Sequence, residues 1–189
     1  LAEGLKNAPF VHCGKTLSEL SKVHFSKTRT LYNCLGFNVL VSKAQRSDLK
    51  RLSKALSELN KIDKYLTKNI FNNIKLPALL SMVHQTPLEG IGRSLRELKN
   101  VDPKKTGELF SQVDIQHFVR QFNDISLVQA GHTLAELNAT NSSRTNEIYQ
   151  LIPIQNLQKK LRKEDIKFQK LGSLTSQLRT IDLEGTKTK

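Results

Sequence analysis

The feature of this 189-residue chain that most restricts its fold is a seven-residue pattern that occurs four times at equal intervals. The copies begin at residues 14, 53, 92 and 131, which are 39 residues apart, and each copy ends in Glu-Leu. A period of about 20–50 residues is typical of stacked repeat architectures. A Leu or Ile followed by an aromatic residue recurs at the same interval, as Leu31-Tyr32, Ile70-Phe71, Leu109-Phe110 and Ile148-Tyr149.

Each repeat has the apolar spacing of two helices. In the second copy, apolar residues from Leu49 to Ile62 lie on one helical face, behind the N-cap residue Asp48. Pro77 and Pro153 fall within the second helix and predict a kink or a split there. Because one hairpin cannot bury both of its apolar faces, the sequence predicts an all-α solenoid of about four stacked helical hairpins. A threonine in every copy is predicted to be the N-cap of the second helix: Thr28, Thr67, Thr106 and Thr145.

The repeats also set the expected organisation of the chain. The length and even composition predict a single domain. A degenerate fifth copy begins at Gly172. The expected segments are an N-terminal cap or extension at 1–13, four hairpins at 14–52, 53–91, 92–130 and 131–171, and a partial capping repeat with a basic tail at 172–189.

An excess of basic residues indicates a polyanionic partner. The chain has 30 Lys and Arg against 17 Asp and Glu, a net charge of +13. Equivalent positions of stacked repeats form a line, and one such line could follow a phosphate backbone. That line is Lys15, Lys54, Arg93 and His132. The alternative is that these cations form i,i+4 salt bridges with Glu19, Glu58, Glu97 and Glu136. A second, denser candidate RNA-binding cluster is Lys159, Lys160, Arg162 and Lys163.

Other classes of site find no support in the sequence. The five histidines are scattered, no motif nucleophile or glycine-rich phosphate loop is present, and neither catalytic residues nor a cofactor is predicted. Cys13 and Cys34 occupy different repeat positions and are expected to be reduced, without the spacing of a metal site. No apolar run reaches the length of a membrane span. Asn138 and Asn141 begin glycosylation sequons, but Asn141 aligns with Asp63 at an interhelical turn.

The repeat motif resembles that of a known group. Asp48-Leu49-Lys-Arg-Leu52-Ser-Lys-Ala55-Leu56-Ser-Glu-Leu59, followed by Ile70-Phe71, is similar to the octotricopeptide and heptatricopeptide repeats of organellar RNA-binding proteins. That group includes FAST-kinase-like and RAP proteins. The similarity covers about residues 14–171, although those families often have Trp early in the first helix and this chain has none. The resemblance implies RNA binding in mitochondria or chloroplasts.

The leading hypothesis is therefore an organellar RNA-binding solenoid without enzymatic activity. It would be a structural rRNA-binding subunit of a mitochondrial ribosome, with neighbouring ribosomal proteins as further partners, or a factor that stabilises an organellar transcript. The rival hypothesis is a protein-binding scaffold, because helical solenoids also present concave surfaces to proteins. A third is a secreted basic helical protein, which would require the sequons to be used. No small-molecule substrate and no membrane partner is expected.

Overall fold

The computed structural model describes residues 1–153, 155, 156 and 159. Within them the chain is all-helical, with twelve α-helices and no β-strand. The helices are α1 (Ala2–Asn7), α2 (Phe10–Val23), α3 (Phe25–Cys34), α4 (Phe37–Gln45), α5 (Leu49–Asn60), α6 (Lys64–Asn72), α7 (Leu76–His84), α8 (Leu88–Lys99), α9 (Pro103–Gln112), α10 (Ile115–Phe122), α11 (Leu127–Thr140) and α12 (Ser142–Leu151).

After α1, the helices recur in a fixed order of three. We call α2, α5, α8 and α11 the A helices; they begin at residues 10, 49, 88 and 127. The B helices α3, α6, α9 and α12 begin at 25, 64, 103 and 142, and the C helices α4, α7 and α10 at 37, 76 and 115. Within each class the first residues lie 39 positions apart, so the spacing found in the sequence is also the spacing of the helix starts.

The sequence predicted a hairpin of two helices in each repeat. In the three repeats whose C helix is described, the second arm of the hairpin is instead divided into a B helix and a C helix. The division has a different local cause each time. Gly36 precedes α4 with φ of 87°, a conformation that favours glycine. Pro77 is the second residue of α7, where a missing N–H costs nothing, and Asp114 caps α10. Pro153 follows the end of α12.

The predicted threonine caps are wrong. The N-caps of α3, α6 and α12 are His24, Asp63 and Asn141, whose side chains accept hydrogen bonds from main-chain N–H groups of the first turn. Each threonine lies one turn inside its helix, and its hydroxyl donates to the main-chain oxygen four residues earlier. Lengths for Thr28, Thr67, Thr106 and Thr145 are 2.9, 2.7, 2.8 and 2.8 Å. Burial of a threonine at this point requires such a bond, because a lone hydroxyl in the core is costly.

The A helices form much of the core. Leu49, Leu52, Leu56 and Leu59 of α5 are all fully buried, as the apolar spacing predicts, and each such side chain stabilises the fold by about 1.5–3 kcal/mol. The expected caps Asp48 and Ser126 begin α5 and α11, and Ser126 forms a capping box with Gln129. α5 packs against both α2 and α6.

The chain divides into two compact units, where its composition predicted one domain. The first comprises Leu1–Thr86 and Glu97–Leu109, and the second comprises Pro87–Arg96 and Phe110–Lys189. The division falls within the repeat pattern, where composition does not change, so composition alone gave no sign of it.

Candidate nucleic-acid interface

The predicted line of basic residues lies at the surface in both units. We call it the cationic row: Lys15, Lys54, Arg93 and His132. In the first unit, Lys15 projects from α2 and Lys54 from α5, and both side chains are exposed. In the second unit, Arg93 of α8 and His132 of α11 are also exposed. The row positions of each unit are therefore open to solvent on consecutive A helices.

An open groove surrounds the two lysines of the first unit. It has a volume of about 560 Å³ and lies between α2 and α5. Lys22 and Lys61 line it in addition to Lys15 and Lys54, and we call these four residues the groove lysines. Lys22 and Lys61 were not predicted from the sequence. Their signal was present, because each lies seven residues after a row lysine and therefore on the same helical face.

The alternative of i,i+4 salt bridges fails in the first unit. Glu19 pairs with Lys22 at 2.8 Å, and Glu58 pairs with Lys61 at 2.9 Å. Neither Lys15 nor Lys54 has a carboxylate within salt-bridge distance among the described residues. The glutamates are thus held by the lysines that follow them, and within the described part of the chain no direct ion pair compensates the charge of Lys15 or Lys54.

Glu58 is also tied to the neighbouring A helix. The Ser18 hydroxyl donates a hydrogen bond to Glu58 Oε2. That bond, with the ammonium of Lys61, outweighs partial burial and holds the pKa of Glu58 below its ordinary value. In the second unit, Arg96 occupies the repeat position of Ser18, and its Nη2 lies 3.7 Å from Glu136 Oε1. The glutamate of the repeated pattern therefore joins consecutive A helices in both units.

Glycine allows the A helices to approach closely. A Cβ placed on Gly14 would lie 2.9 Å from the Cα of Ala55, and one on Gly92 would lie 3.1 Å from the main-chain oxygen of Thr133. The sequence interval is 41 residues in both pairs, so the same contact occurs once in each unit. Gly14 and Gly92 hold the same position of the repeated seven-residue pattern, and each allows close packing of two A helices.

Part of the positive charge stabilises the fold and is not available to a partner. Arg29 Nε lies 3.0 Å from Asp63 Oδ2, and Lys68 Nζ lies 3.3 Å from Asp102 Oδ2. Arg29 and Lys68 are one repeat apart, as are the two aspartates, which precede α6 and α9. Main-chain N–H groups and Arg29 outweigh burial and lower the pKa of Asp63. The net charge of +13 therefore overstates the free cationic surface.

The structure describes one residue of the C-terminal basic cluster. Lys159 is exposed. Lys160, Arg162 and Lys163 lie outside the described residues.

The described part of the chain contains no group of three His, Cys, Asp or Glu side chains arranged to hold a metal ion. Cys13 and Cys34 do not form a disulfide with each other. Cys13 is buried and donates to the main-chain oxygen of Leu5 at 3.0 Å, and burial raises the pKa of its thiol.

None of the described helices combines the length and apolar character needed to cross a bilayer. Asn141, the start of one sequon, accepts a hydrogen bond from the main-chain N–H of Arg144 at 3.0 Å. As expected from its alignment with Asp63, it is positioned at an interhelical turn and caps α12.

Comparison of the chain with protein-family models, with curated proteins and with solved structures finds no match in any of the three.

Proposed function

We propose that this protein is an organellar, non-enzymatic RNA-binding α-solenoid that contacts RNA phosphates through Lys15 and Lys54 in this groove. The observation that carries the proposal is the pair Lys15 and Lys54, exposed on consecutive A helices and without an ion-pair partner among the described residues. A mitochondrial rRNA-binding subunit of the ribosome or a factor that stabilises an organellar transcript fits this role. The organelle is inferred from the resemblance of the repeat motif to octotricopeptide and heptatricopeptide repeats.

The solenoid component is supported by contacts that recur at the same positions of different repeats. The approaches of Gly14 to Ala55 and of Gly92 to Thr133 occur at the same repeat positions. The ion pairs from Arg29 to Asp63 and from Lys68 to Asp102 also recur at one set of positions. A fold built by translation of one contact pattern stacks its units and presents lines of equivalent residues. We therefore propose a solenoid with a period of 39 residues and three helices in each repeat.

Phosphate is the chemistry that suits the groove best. Lys, Ser, His and Glu side chains make up most of its lining, and Val11 is its one large apolar residue. An apolar peptide would bury little surface there. Exposed ammonium groups on successive helices can each neutralise a phosphate and release its condensed counterion. The groove therefore favours a polyanion over the apolar helix or strand of a protein partner.

A protein-binding scaffold is the alternative, and it would need an acidic partner to match the same lysines. Secretion is the second alternative. It predicts a glycan at Asn138 or Asn141, which mass spectrometry of the protein isolated from its native source would detect directly. We favour RNA because each of its nucleotides carries a negative phosphate, and the exposed ammonium groups of Lys15 and Lys54 on consecutive A helices can each neutralise one.

The experiment that tests the proposal measures the salt dependence of RNA affinity for the full chain. A fluorescently labelled single-stranded RNA would be titrated at several salt concentrations with the wild type and with a K15E/K54E variant. Each phosphate contact contributes about −0.7 to the slope of log K against log salt for a single strand. We expect the variant to lose about two phosphate contacts, and therefore to show a slope shallower by about 1.4.

Lys75 provides the matched control for that experiment. It is exposed at the turn between α6 and α7, away from the groove lining, and Lys75→Glu makes the same charge change at one site. We expect Lys75→Glu to keep the wild-type slope apart from a small long-range effect. Equal losses in K15E, K54E and Lys75→Glu single variants would show that net charge alone drives binding and would refute the groove as the site. Copurifying nucleic acid that is removed by RNase and not by DNase would identify the class of polyanion.

A further inference from the structure

Two aromatic side chains are exposed at neighbouring interhelical turns of the first unit. Phe25, the first residue of α3, is 50% exposed, and Tyr65, in the first turn of α6, is 78% exposed. The other two tyrosines, Tyr32 and Tyr149, are buried. Because aromatic side chains are enriched where proteins contact ligands, exposed rings at two successive turns are candidate ligand contacts.

The two turns that carry these rings are neighbours in the first unit, and we call this part of the surface the edge. Arg29 of α3 contacts Asp63, the N-cap of α6. One side chain therefore spans the distance from α3 to the start of α6. The hydroxyls of Tyr32 and Thr67 are also 3.0 Å apart, which joins α3 to α6 further along. Both turns are fixed by caps: His24 Nδ1 accepts from the N–H of Lys27, and Asp63 accepts from the N–H of Leu66. The rings are therefore presented on ordered backbone.

Cations surround this edge. Lys22, near the end of α2, and Lys61, which follows α5, lie before the turns and are paired with Glu19 and Glu58. Lys27 and Lys64 follow in the B helices, and both are exposed. The aspartate at the edge, Asp63, is buried and paired with Arg29. An aromatic surface bordered by ammonium groups matches a ligand that has flat rings and negative charge together.

We propose that Phe25 and Tyr65 form a stacking platform for bases of single-stranded RNA, whose phosphates continue into the groove lysines. This inference rests on the proposed RNA binding and adds the class of RNA that it requires. Stacking on aromatic side chains needs bases whose faces are open, which a duplex does not provide. The platform is confined to the first two turns, because the corresponding positions of the next two have Pro103-Lys104 and Ser142-Ser143. We therefore expect affinity without strong sequence preference.

The alternative occupant of the same edge is an apolar surface of a protein. Val23, beside Phe25, is 86% exposed, whereas Ile62 and Val101 at the same repeat position are buried. Leucine in place of both rings separates the two cases. It retains apolar bulk, which a protein surface would accept, and removes the aromatic face that a base requires. In the following test, an oligouridylate affinity that F25L/Y65L leaves unchanged would refute base stacking and favour apolar docking at this edge.

The test uses the full chain and three labelled probes of equal length: oligouridylate, an abasic oligonucleotide with the same phosphates, and an RNA duplex. For the wild type, we expect oligouridylate to bind about tenfold or more tighter than the abasic strand, because each stacked base contributes about 5- to 150-fold in affinity. F25L/Y65L should lose this preference while its affinity for the abasic strand and the duplex stays unchanged. F25Y/Y65F retains both rings and should keep the preference.

Each other result overturns a different part of the proposal. If F25L/Y65L binds oligouridylate as the wild type does, RNA binding stands and the platform is refuted. If the leucine variant weakens binding of all three probes equally, the rings act on the fold or on charge and not on bases. If the wild type binds none of the probes, the proposed function fails, and the platform with it. Val39→Ala, at an exposed apolar residue of α4, controls for loss of surface bulk and should leave all three affinities unchanged.

Discussion

Lys105 Nζ lies 2.6 Å from the main-chain oxygen of Ile74, two residues beyond the end of α6, in the turn before α7. The same ammonium donates to the oxygens of Phe71 and Asn72 and lies 5.1 Å from the centre of the Phe71 ring. One repeat later, Arg144 Nη2 lies 2.9 Å from the main-chain oxygen of Val113, just after α9. A cation from the next B helix thus satisfies carbonyls that a helix end leaves without partners and complements its dipole.

The first prediction concerns Lys105. Lys105→Met should lower the free energy of unfolding by about 1.5–3 kcal/mol, since it removes a charged donor from three main-chain carbonyls, two of them in partly buried hydrogen bonds. Chemical denaturation followed by circular dichroism measures this. Lys104→Met is the control, because the Lys104 side chain is exposed and its effect should stay within about 0.5 kcal/mol. Equal effects of the two substitutions would mean that Lys105 does not stabilise the helix end.

The second prediction separates the cap from the ion pair at Asp63. Asp63→Asn should retain the cap, as Asn141 does at the same repeat position, and lose only the half-exposed pair with Arg29. Such pairs contribute about 0–1 kcal/mol. Asp63→Ala removes the cap as well and should lower the free energy of unfolding by about 0.5–2 kcal/mol more. Thermal melts of the two variants at neutral pH would rank them, and an alanine variant as stable as the asparagine variant would contradict the assigned cap.

The third prediction is the acid dependence of stability. Hydrogen bonds from main-chain N–H groups lower the pKa of Asp63 in the folded state, so the unfolded carboxyl binds its proton first as the pH falls. Burial alone would raise the pKa of Asp102, but bonds from Lys105 N–H, Asn72 and Lys68 outweigh it and leave that pKa lowered. The resulting stability is complete above the ordinary carboxyl range and is lost as the pH falls through the folded-state pKa values. Below about pH 4, the free energy of unfolding should therefore fall less steeply with decreasing pH in Asp63→Asn than in the wild type.

Much of the A helices could be predicted from the sequence, and less of the B helices. Leucine spacing located α5 because apolar periodicity directly reports which helical face is buried. Thr67 was misread as a cap because a threonine before an apolar run resembles one, whereas its hydroxyl bonds inward to Asp63. The true cap was visible as Asp63 but was assigned to a turn. At the site, Lys15 and Lys54 could be found by repeat alignment.

The sequence alone could not predict which residues make contacts between helices. No periodicity distinguishes Lys105, which bonds to carbonyls of another helix, from Lys54, which points to solvent. Similarly, the i,i+4 rule favoured Lys54 as the partner of Glu58, and the observed partners are Lys61 and the Ser18 hydroxyl of another helix. Which cation remains available for a ligand depends on these tertiary partners.

The fourth prediction tests the close approach of the A helices. Gly14→Ala should destabilise the protein by about 1–3 kcal/mol, because the new Cβ would meet the backbone of Ala55 and force α2 away from α5. At Gly107, within α9, a new Cβ would have no described atom within 4 Å apart from its chain neighbours and the backbone of its own helix, so Gly107→Ala should stabilise the protein by up to about 1 kcal/mol through helix propensity. Opposite signs for the same chemical change are the expected result. If both substitutions stabilise the protein, the contact is not tight.

The last prediction concerns the C-terminal basic cluster, the other candidate RNA contact. Charge reversal of Lys159, Lys160, Arg162 and Lys163 together should flatten the salt slope of RNA binding by up to about four phosphate contacts, or about 2.8 for a single strand. Reversal of Lys54 and Arg93 tests the cationic row separately, and the two effects should add if both surfaces contact one RNA. Unfolding curves should change little at Lys159, since an exposed lysine contributes little to stability. If the cluster variant keeps the full slope while K15E/K54E loses part of it, RNA contacts the groove and not the cluster. The reverse result would move the interface to the cluster, and a slope unaffected by either set would favour the protein scaffold.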